Sequence, residues 1–344
     1  MSKPILIGLS PNTDASDAWL AFKLLLQQWR WQIGLEQPQL KAALKKYLKF
    51  PHVYLTNSAR TALYLGLKNL RLPAGSEVVY PEFTCTVVPQ AIVKAGLKPA
   101  TKLSPQTKAM IIQHLFGEPD DLTKIVRLCR HRGIILVEDL AHSLGAKYLG
   151  KPVGSFGNLT VLSFGRDKII SSVFGGALLS RRPLAGQLPL PGAGWIARQL
   201  LHPLIFALAV PTYFYLGKYL IYLCRKLGLI TLPLTNLEPA ALPNALAVLA
   251  MHQWRKLNKL NQHRREIAKI YCQTFKRRFN PSATYLRFPL KVPDPAGLIK
   301  FAKRRHILLG NWYENKIVNL PTHWRMDQAD ARRVVAVVKE YVHQ

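Results

Sequence analysis

The sequence predicts an α/β fold with a mainly parallel central sheet that helices cover on both faces. Between Val53 and Ser180, short apolar runs alternate with amphipathic stretches, an order typical of parallel sheets. The 344-residue chain is long for one compact core, so we expect a large domain and a smaller one. With 49% hydrophobic residues and a mean hydropathy of +0.04, the chain is too apolar for disorder and too polar for many membrane spans.

The predicted elements follow one another along the chain in the order strand 78–80, helix 87–95, strand 109–112, helix 120–131 and strand 134–137. A turn-rich linker with three prolines and three glycines follows Arg181. Beyond it we expect a smaller α+β domain with helices, short strands within 281–292 and a closing helix over 329–342. The predicted division is a large domain over 1–188, an insertion over 189–235 and a C-terminal domain over 236–344.

The insertion has an unusual composition, because residues 199–217 contain no Asp, Glu, Lys or Arg. Pro203 and Pro211 interrupt this stretch and His202 would be costly in lipid, so a transmembrane helix is not expected. The apolar residues that follow, up to Leu234, are interrupted by three cations, Lys218, Arg225 and Lys226. This composition is typical of a cationic helical hairpin in a membrane interface. A hairpin buried at a subunit contact would have the same composition, and both interpretations stay open.

Charge and cysteine content narrow the classes of partner. The net charge of +30 requires an anionic partner, either nucleic acid, a phosphorylated substrate or an acidic membrane surface. Nucleic acid is not expected, because we find no helix-turn-helix, zinc-finger or RNP-type aromatic motif. The four cysteines lie far apart without a CxxC pair, which argues against a zinc ribbon or a disulfide framework and favours a reducing cytoplasm. No export signal is recognised at the N-terminus.

Two segments that follow predicted strands carry polar side chains. Asp139 comes directly after the apolar strand, and a carboxylate at the carboxyl end of a parallel strand is well placed to meet a ligand. His142 lies three residues on, and Glu138 is interpreted as the outward-facing neighbour. Lys168 follows the apolar run 161–164 in a loop of small residues, where apolar packing can lower an ammonium pKa enough for Schiff-base chemistry. Ser163 is a candidate phosphate ligand.

A third segment, Asn57 to Leu63, opens a predicted helix with small residues. Such a turn presents backbone N–H groups and the positive helix end to a phosphate, and Arg60 adds further donors. Ser58 alone is just as well explained as a helix N-cap. A fourth segment, 81–86, follows the strand at 78–80 and contains Cys85.

The ordered combination of these segments resembles the DegT/StrS family of pyridoxal-phosphate sugar aminotransferases, which have fold type I. The matching stretches are Tyr80–Thr84, Gln113–Gly117, Val137–Ala146, Ser163–Phe164 through Lys168 to Gly175–Gly176, and Asn319–Pro321. The likeness covers most of the chain except about 189–239.

The resemblance implies a role for each candidate residue. Lys168 would form the Schiff base with pyridoxal phosphate and Asp139 would pair with the pyridine nitrogen, with His142 against the ring. Ser163 and the Ser58-Ala59-Arg60 turn would hold the phosphate. Three departures from the family pattern stand out. Cys85 occupies the place of the usual stacking aromatic residue, residues 239–242 replace an Asn-Tyr-Arg stretch, and Ala59 replaces a common glycine.

The implied function is transfer of an amino group, from glutamate, to a keto sugar that is nucleotide-linked or lipid-linked. The implied assembly is a homodimer, and the expected location is the cytoplasm, with a peripheral position on the inner face of the plasma membrane if the hairpin binds anionic lipid. The alternative is a catalytically inactive, membrane-associated relative with a binding or regulatory role. Retention of Lys168 counts against it.

Overall fold

The computed structural model describes residues 3–232, 238–311 and 317–343. The strands of these residues are β1 Ile5–Leu6, β2 His52–Thr56, β3 Glu77–Val79, β4 Lys98–Ala100, β5 Thr107–Gln113, β6 Ile135–Asp139, β7 Lys147–Tyr148, β8 Lys151–Pro152, β9 Leu159–Ser163, β10 Gly176–Ser180, β11 Phe288–Lys291, β12 Ile307–Leu308 and β13 Ile317–Leu320. The helices are α1 Ala15–Leu25, α2 Glu36–Leu48, α3 Ala59–Asn69, α4 Val87–Lys94, α5 Leu122–Arg132, α6 Ala193–Ala209, α7 Lys218–Lys226, α8 Asn244–Thr274, α9 Pro295–Arg304 and α10 Gln328–Val342.

A seven-stranded sheet in the order β2-β10-β9-β6-β5-β3-β4 forms the centre of the molecule. Only β10 runs antiparallel to its neighbours in this sheet. Hydrophobic clusters cover both faces, which explains why nearly every residue of β6 and β9 is buried instead of every second one. The predicted fold class is confirmed.

Helix ends follow from local sequence chemistry. The Asp121 carboxylate accepts a hydrogen bond from the Lys124 N–H and begins α5, and Gly133 ends the helix with a φ of 64°. The closing helix α10 begins with a reciprocal capping box between Asp327 and Asp330. These signals are visible in the sequence, which is why the positions of both helices could be predicted.

The C-terminal residues form a separate hydrophobic cluster around the antiparallel pair β11–β13 and the helices α9 and α10. The N-terminal strand β1 pairs in parallel with β12, so the first described residues lie with this C-terminal cluster. The long helix α8 contributes its first half to the core of the sheet and its second half to the C-terminal cluster. The boundaries predicted for three domains stay a prediction.

The insertion folds as two helices, α6 and α7, joined by a π-helical turn over Tyr213–Gly217. A side chain at Gly217 would collide with the Ala209 carbonyl, so this turn requires glycine. Helix α6 packs against α1 and buries Leu200 and Phe206. In the ranges that the structure describes, no helix is long and apolar enough to span a membrane. Residues 233–235 of the predicted insertion lie outside these ranges.

Candidate active site

The candidate residues lie at one edge of the central sheet. Each lies at or just after the carboxyl end of a strand, and these strands all run in the same direction: the 58–60 turn follows β2, Cys85 follows β3, Asp139 ends β6, and Ser163 ends β9. Because parallel strands bring their carboxyl ends to the same edge, residues far apart in sequence meet there. Lys168, in the turn after β9, interacts electrostatically with Asp139 and Cys85.

Asp139 is buried and held by two hydrogen bonds. Its Oδ1 accepts from the Ala141 N–H at 2.8 Å, and its Oδ2 accepts from Gln113 Nε2 at 2.9 Å. Burial raises the pKa of this carboxyl, and the two hydrogen bonds and the nearby Lys168 ammonium act in the opposite direction. The carboxylate therefore has a fixed orientation in a site of low polarity, where a cationic ring nitrogen would be a strong partner.

Lys168 lies in a turn whose backbone is fixed on both sides. Its N–H donates to the Gly165 carbonyl at 3.2 Å, and its carbonyl accepts from Asn12 Nδ2 at 2.7 Å. Burial lowers the pKa of the Lys168 ammonium, and the charge of Arg287 lowers it further, against the opposing effect of Asp139. A lowered pKa increases the fraction of neutral amine, the form that acts as nucleophile and base.

His142 is fully buried near Lys168. Its ring stacks on Phe116 at 6.3 Å between centroids, and its carbonyl accepts from Thr284 Oγ1 at 3.2 Å. Burial, with the charges of Lys168 and Arg287, holds the pKa of His142 well below its usual value. The imidazole is therefore neutral and can cover an aromatic ligand without adding charge.

The 58–60 turn and Ser163 lie on either side of one glycine. In the strand register, Gly176 of β10 stands opposite Thr56 of β2 and Ser163 of β9. A side chain at Gly176 would lie 2.6 Å from the Ala59 nitrogen, so glycine lets β10 approach the start of α3. The Ser58 hydroxyl accepts from the Thr61 N–H at 3.1 Å and caps this helix.

The N-cap interpretation of Ser58 and the phosphate interpretation are compatible. A capping hydroxyl satisfies one of the unpaired N–H groups of a helix start, and the remaining donors still point out of the helix. Arg60 lies in the first turn of α3 and is partly buried. The turn therefore brings the start of α3 and the Arg60 side chain to the same edge of the sheet as Lys168.

One interpretation from the sequence is wrong. Glu138 does not face outward but is fully buried, and its carboxylate accepts hydrogen bonds from the N–H groups of Gly154, Phe156 and Gly157 at 2.6–2.8 Å. Strand alternation does point Glu138 away from Asp139, but both faces of this sheet are covered. His114 lies beside it, with Nε2 3.4 Å from Glu138 Oε2.

Two residues of this site were missed in the sequence. Gln113 orients Asp139, and its own Oε1 accepts from Thr84 Oγ1 at 3.0 Å. Arg287 is 3% exposed, its Nη2 lies 3.9 Å from Asp167 Oδ2, and its charge acts on both Lys168 and His142. An arginine within the apolar run 285–290 was the available signal, because a buried cation there needs a polar neighbourhood.

The segment that replaces the family's Asn-Tyr-Arg stretch lies beside the 58–60 turn. The Asn57 N–H donates to the Ala240 carbonyl at 2.8 Å, and Asn57 Nδ2 donates to the Glu238 carbonyl at 2.8 Å. Leu242 N–H bonds to the Leu55 carbonyl, so 238–242 continues along the end of β2. In this chain residues 238–242 therefore support the turn at 58–60 through backbone hydrogen bonds.

Comparison with known proteins adds independent information. The chain is 27% identical to a GDP-perosamine synthase of Vibrio cholerae over 187 residues, which is 49% of this chain and 51% of that protein. The chain thus spans about half the length of the curated relatives it matches. Two solved structures share the fold at 0.75 TM-score. One is PseC of Helicobacter pylori, an aminotransferase involved in the biosynthesis of pseudoaminic acid, which is 17% identical and matches 99% of this chain and 100% of its own. The other is the putative sugar aminotransferase Spr1654 of Streptococcus pneumoniae in its PLP-form, which is 16% identical and matches 100% of this chain and 98% of its own.

A family model matches residues 13–186, a range that contains the 58–60 turn, Cys85, Asp139, His142, Ser163 and Lys168. The match covers half of the chain and all the strands of the central sheet. On this evidence the chain belongs to the DegT/DnrJ/EryC1/StrS aminotransferase family.

Proposed function

We propose that the chain is a pyridoxal-phosphate-dependent aminotransferase that moves an amino group from glutamate to a keto sugar. The observation that carries the proposal is a lysine of lowered pKa beside a buried, hydrogen-bonded aspartate at the carboxyl edge of the sheet. The relative named GDP-perosamine synthase supports a nucleotide-linked sugar as the acceptor, and a lipid-linked sugar is the second form considered.

The residues present fit the cofactor. Asp139 would pair with the pyridine nitrogen, His142 would cover the ring, and Lys168 would attach to the aldehyde carbon. The helix start at 58–60 and Ser163 would hold the phosphate with backbone N–H groups and a hydroxyl. Cys85 lies close enough to Lys168 to affect its pKa and stands where a larger stacking side chain would otherwise cover the second face.

When bound, the cofactor supplies an electron sink for the carbanion formed at the donor's α-carbon. The chain's own residues do the rest. Once the donor's amino group has replaced it at the aldehyde carbon, Lys168 Nζ would take the proton from the donor's α-carbon, and its lowered pKa would increase the fraction of neutral amine that can accept it. Asp139, held by Gln113 and the Ala141 N–H, would stabilise a positive charge on the pyridine nitrogen.

Arg287 is the residue we assign to the donor's carboxylate. It is a buried cation next to both Lys168 and His142, and a guanidinium can bind a carboxylate through two parallel hydrogen bonds. Its Nη2 lies 3.9 Å from Asp167 Oδ2. The net charge of +30 would attract an acceptor that carries phosphates.

The test is the visible absorbance spectrum of the purified protein with added pyridoxal phosphate, followed by borohydride reduction and peptide mapping. We expect the reduced adduct on Lys168 and its loss in Lys168→Ala. Lys147→Ala, which changes an exposed lysine, should bind normally. Conversion of keto sugars with glutamate would then identify the acceptor. A well-folded protein without an adduct on Lys168 would contradict the proposed activity.

The alternative of a catalytically inactive relative is not supported. Relatives such as the GDP-perosamine synthase are named as enzymes, and one relative of 26% identity is named a pleiotropic regulatory protein of Geobacillus stearothermophilus. The group that would transfer the proton is retained as Lys168. Replacement of the stacking aromatic residue by Cys85 removes a contact to the ring but no group that moves a proton. We therefore retain the enzymatic interpretation alone.

We infer that the protein is a homodimer. Support comes from large apolar side chains between α1 and α2 that this chain leaves exposed, among them Trp29 at 76% and Ile33 and Leu35 at 73% each. Sedimentation velocity should give twice the mass of one chain, and Trp29→Gln should shift the distribution towards monomer. Leu149→Gln, an equally exposed position elsewhere, is the control. A monomer at all concentrations would contradict the inference.

We propose further that the α6–α7 hairpin binds an anionic membrane surface. Leu216 is 74% exposed and Leu227 is 63% exposed, and the cations Lys218, Arg225 and Lys226 are exposed beside them. No acidic residue occurs between Asp167 and Glu238. Exposed apolar side chains among cations alone are typical of helices that lie in the interface of anionic bilayers.

Flotation with liposomes tests this proposal. Because α6 buries Leu200 and Phe206, deletion of the hairpin would expose the core, so surface variants are the better test. Leu216→Glu with Leu227→Glu should abolish flotation with phosphatidylglycerol vesicles, and the matched pair Val93→Glu with Leu149→Glu should not. Equal flotation of both variants would contradict a role of the hairpin.

A further inference from the structure

A cavity of about 370 Å³ lies where the N-terminal strand, the end of α6 and the segment after β13 meet. Its volume is within the ~300–1,000 Å³ range of small-molecule sites. The residues that line it are Lys3, Pro4, Leu6, Val210, Pro211, His323 and Arg325. None of these belongs to the candidate active site described above.

Arg325 gives the cavity a positive charge that no described carboxylate contacts directly, and Asp167 acts on it from a longer distance. Its Nε and Nη2 donate to the backbone carbonyls of Leu9, Ser10 and Pro11. In the described part of the chain, Nη1 has no hydrogen-bond partner and the guanidinium forms no ion pair. The other cation, Lys3, already pairs with Asp330 at 2.7 Å. An anion in the cavity would thus find free N–H donors on a guanidinium held firmly in place.

His323 adds a second polar group to the same wall. It is buried, and neither of its ring nitrogens has a hydrogen-bond partner among the described residues. An unpaired buried polar group costs stability, so such a group is often explained by a ligand or a bound ion. The polar side of the cavity is therefore formed by Arg325 and His323 together.

The remaining walls are apolar and include the hairpin. Val210 and Pro211 directly follow α6, and Leu6 of β1 lies in the same hydrophobic cluster as Val210. The match to the family model ends at residue 186, so the part of the cavity that α6 contributes lies outside it. A purely polar anion would leave these walls in contact with water, whereas an anion on an apolar chain would cover them.

We propose that this cavity binds a phosphate group carried on an apolar chain, with Arg325 Nη1 donating to a phosphate oxygen and Leu6, Val210 and Pro211 packing on the chain. The site does not include Lys168, and binding there does not depend on aminotransferase activity. Two sources share this chemistry, a phospholipid of the membrane and a lipid-linked substrate.

The test is calorimetric titration of the full chain with dodecyl phosphate below its micelle concentration. We expect one saturable site, weakened about tenfold or more in Arg325→Gln. Lys147→Gln, which removes one exposed positive charge outside the cavity and outside the α6–α7 hairpin, should bind as the parent protein does. Because Arg325 also fixes the N-terminal residues, Pro211→Trp provides a second variant that fills the exposed rim of the cavity and should block binding.

Other ligands test whether binding needs both the phosphate and the apolar chain, and vesicles distinguish a membrane lipid from a soluble amphiphile. Equal affinity for dodecyl maltoside, or for inorganic phosphate alone, would overturn the proposal, as would unchanged binding by both Arg325→Gln and Pro211→Trp. If the variants also lose flotation with phosphatidic acid vesicles, the ligand is a membrane lipid. If flotation is retained while dodecyl phosphate binding is lost, the ligand is a soluble amphiphile such as a lipid-linked substrate.

Discussion

His114 provides a quantitative test of the electrostatics beneath the candidate site. Its ring is fully buried, with Nε2 3.4 Å from Glu138 and Nδ1 3.2 Å from the Asp120 carboxylate. Burial alone would lower its pKa, but the hydrogen bonds and charges of Asp120 and Glu138 outweigh burial and raise the pKa to about 9. The Asp120 N–H also approaches Nδ1 at 3.1 Å and favours the neutral ring, so the charge state depends on the two carboxylates.

The raised pKa gives a stability difference with a defined pH range. Against an unfolded value near 6.5, a folded pKa of about 9 corresponds to about 3 kcal/mol of the free energy of unfolding. This contribution is fully present below pH ~6.5 and is lost as the pH rises through ~9, because the proton that stabilises the folded state is then released. At ~2.1 cal/mol/K per residue for 344 residues, it equals about 4 °C in the unfolding temperature.

The assay compares thermal unfolding of the parent protein and His114→Gln from pH 6 to pH 10. The difference between the two unfolding temperatures should be largest at pH 6 and should shrink by about 4 °C at the upper end of the range. Other titrating groups are common to both proteins and cancel in this difference. A difference that is the same at every pH would refute the reasoning and would mean that His114 is neutral in the folded protein.

Three further predictions concern the site itself. Gly176→Ala should lower the free energy of unfolding, measured by urea titration, by ~1–3 kcal/mol, because the added carbon collides with the start of α3. Gly194→Ala, which has open space around it, should have little effect. Equal effects of the two substitutions would contradict this prediction. Asp139→Asn should still bind pyridoxal phosphate, but its steady-state transamination rate should fall ~10²–10³-fold, because a neutral amide cannot hold the ring nitrogen protonated. A retained rate would contradict the role assigned to Asp139. Arg287→Met should raise the pKa of Lys168, because a neighbouring cation is removed. The pH profile for the rate of cofactor attachment should then move to higher pH. An unchanged profile would show that Arg287 does not act on Lys168.

The sequence determined the fold class and the edge of the sheet at which the candidate residues lie. Buried parallel strands are continuous apolar runs, so the strand that ends at Asp139 and the one that ends at Ser163 could be placed from composition alone. Helix caps such as Asp121 and Gly133 fixed the intervening helices, because capping is a local interaction. The order of the candidate residues along the chain then carried the resemblance to a family.

Tertiary structure decided what local patterns do not encode. The alternation of a strand separates Glu138 from Asp139, but only the packing on both faces of the sheet buries Glu138 and pairs it with His114. Arg287 reaches Lys168 through the packing of the C-terminal residues against the sheet, across a sequence separation that no periodicity reports. The cavity at Arg325 is likewise formed by three segments that are distant in the chain. The burial and the charge of such a site depend on all the residues around it, and only the folded chain brings these residues together.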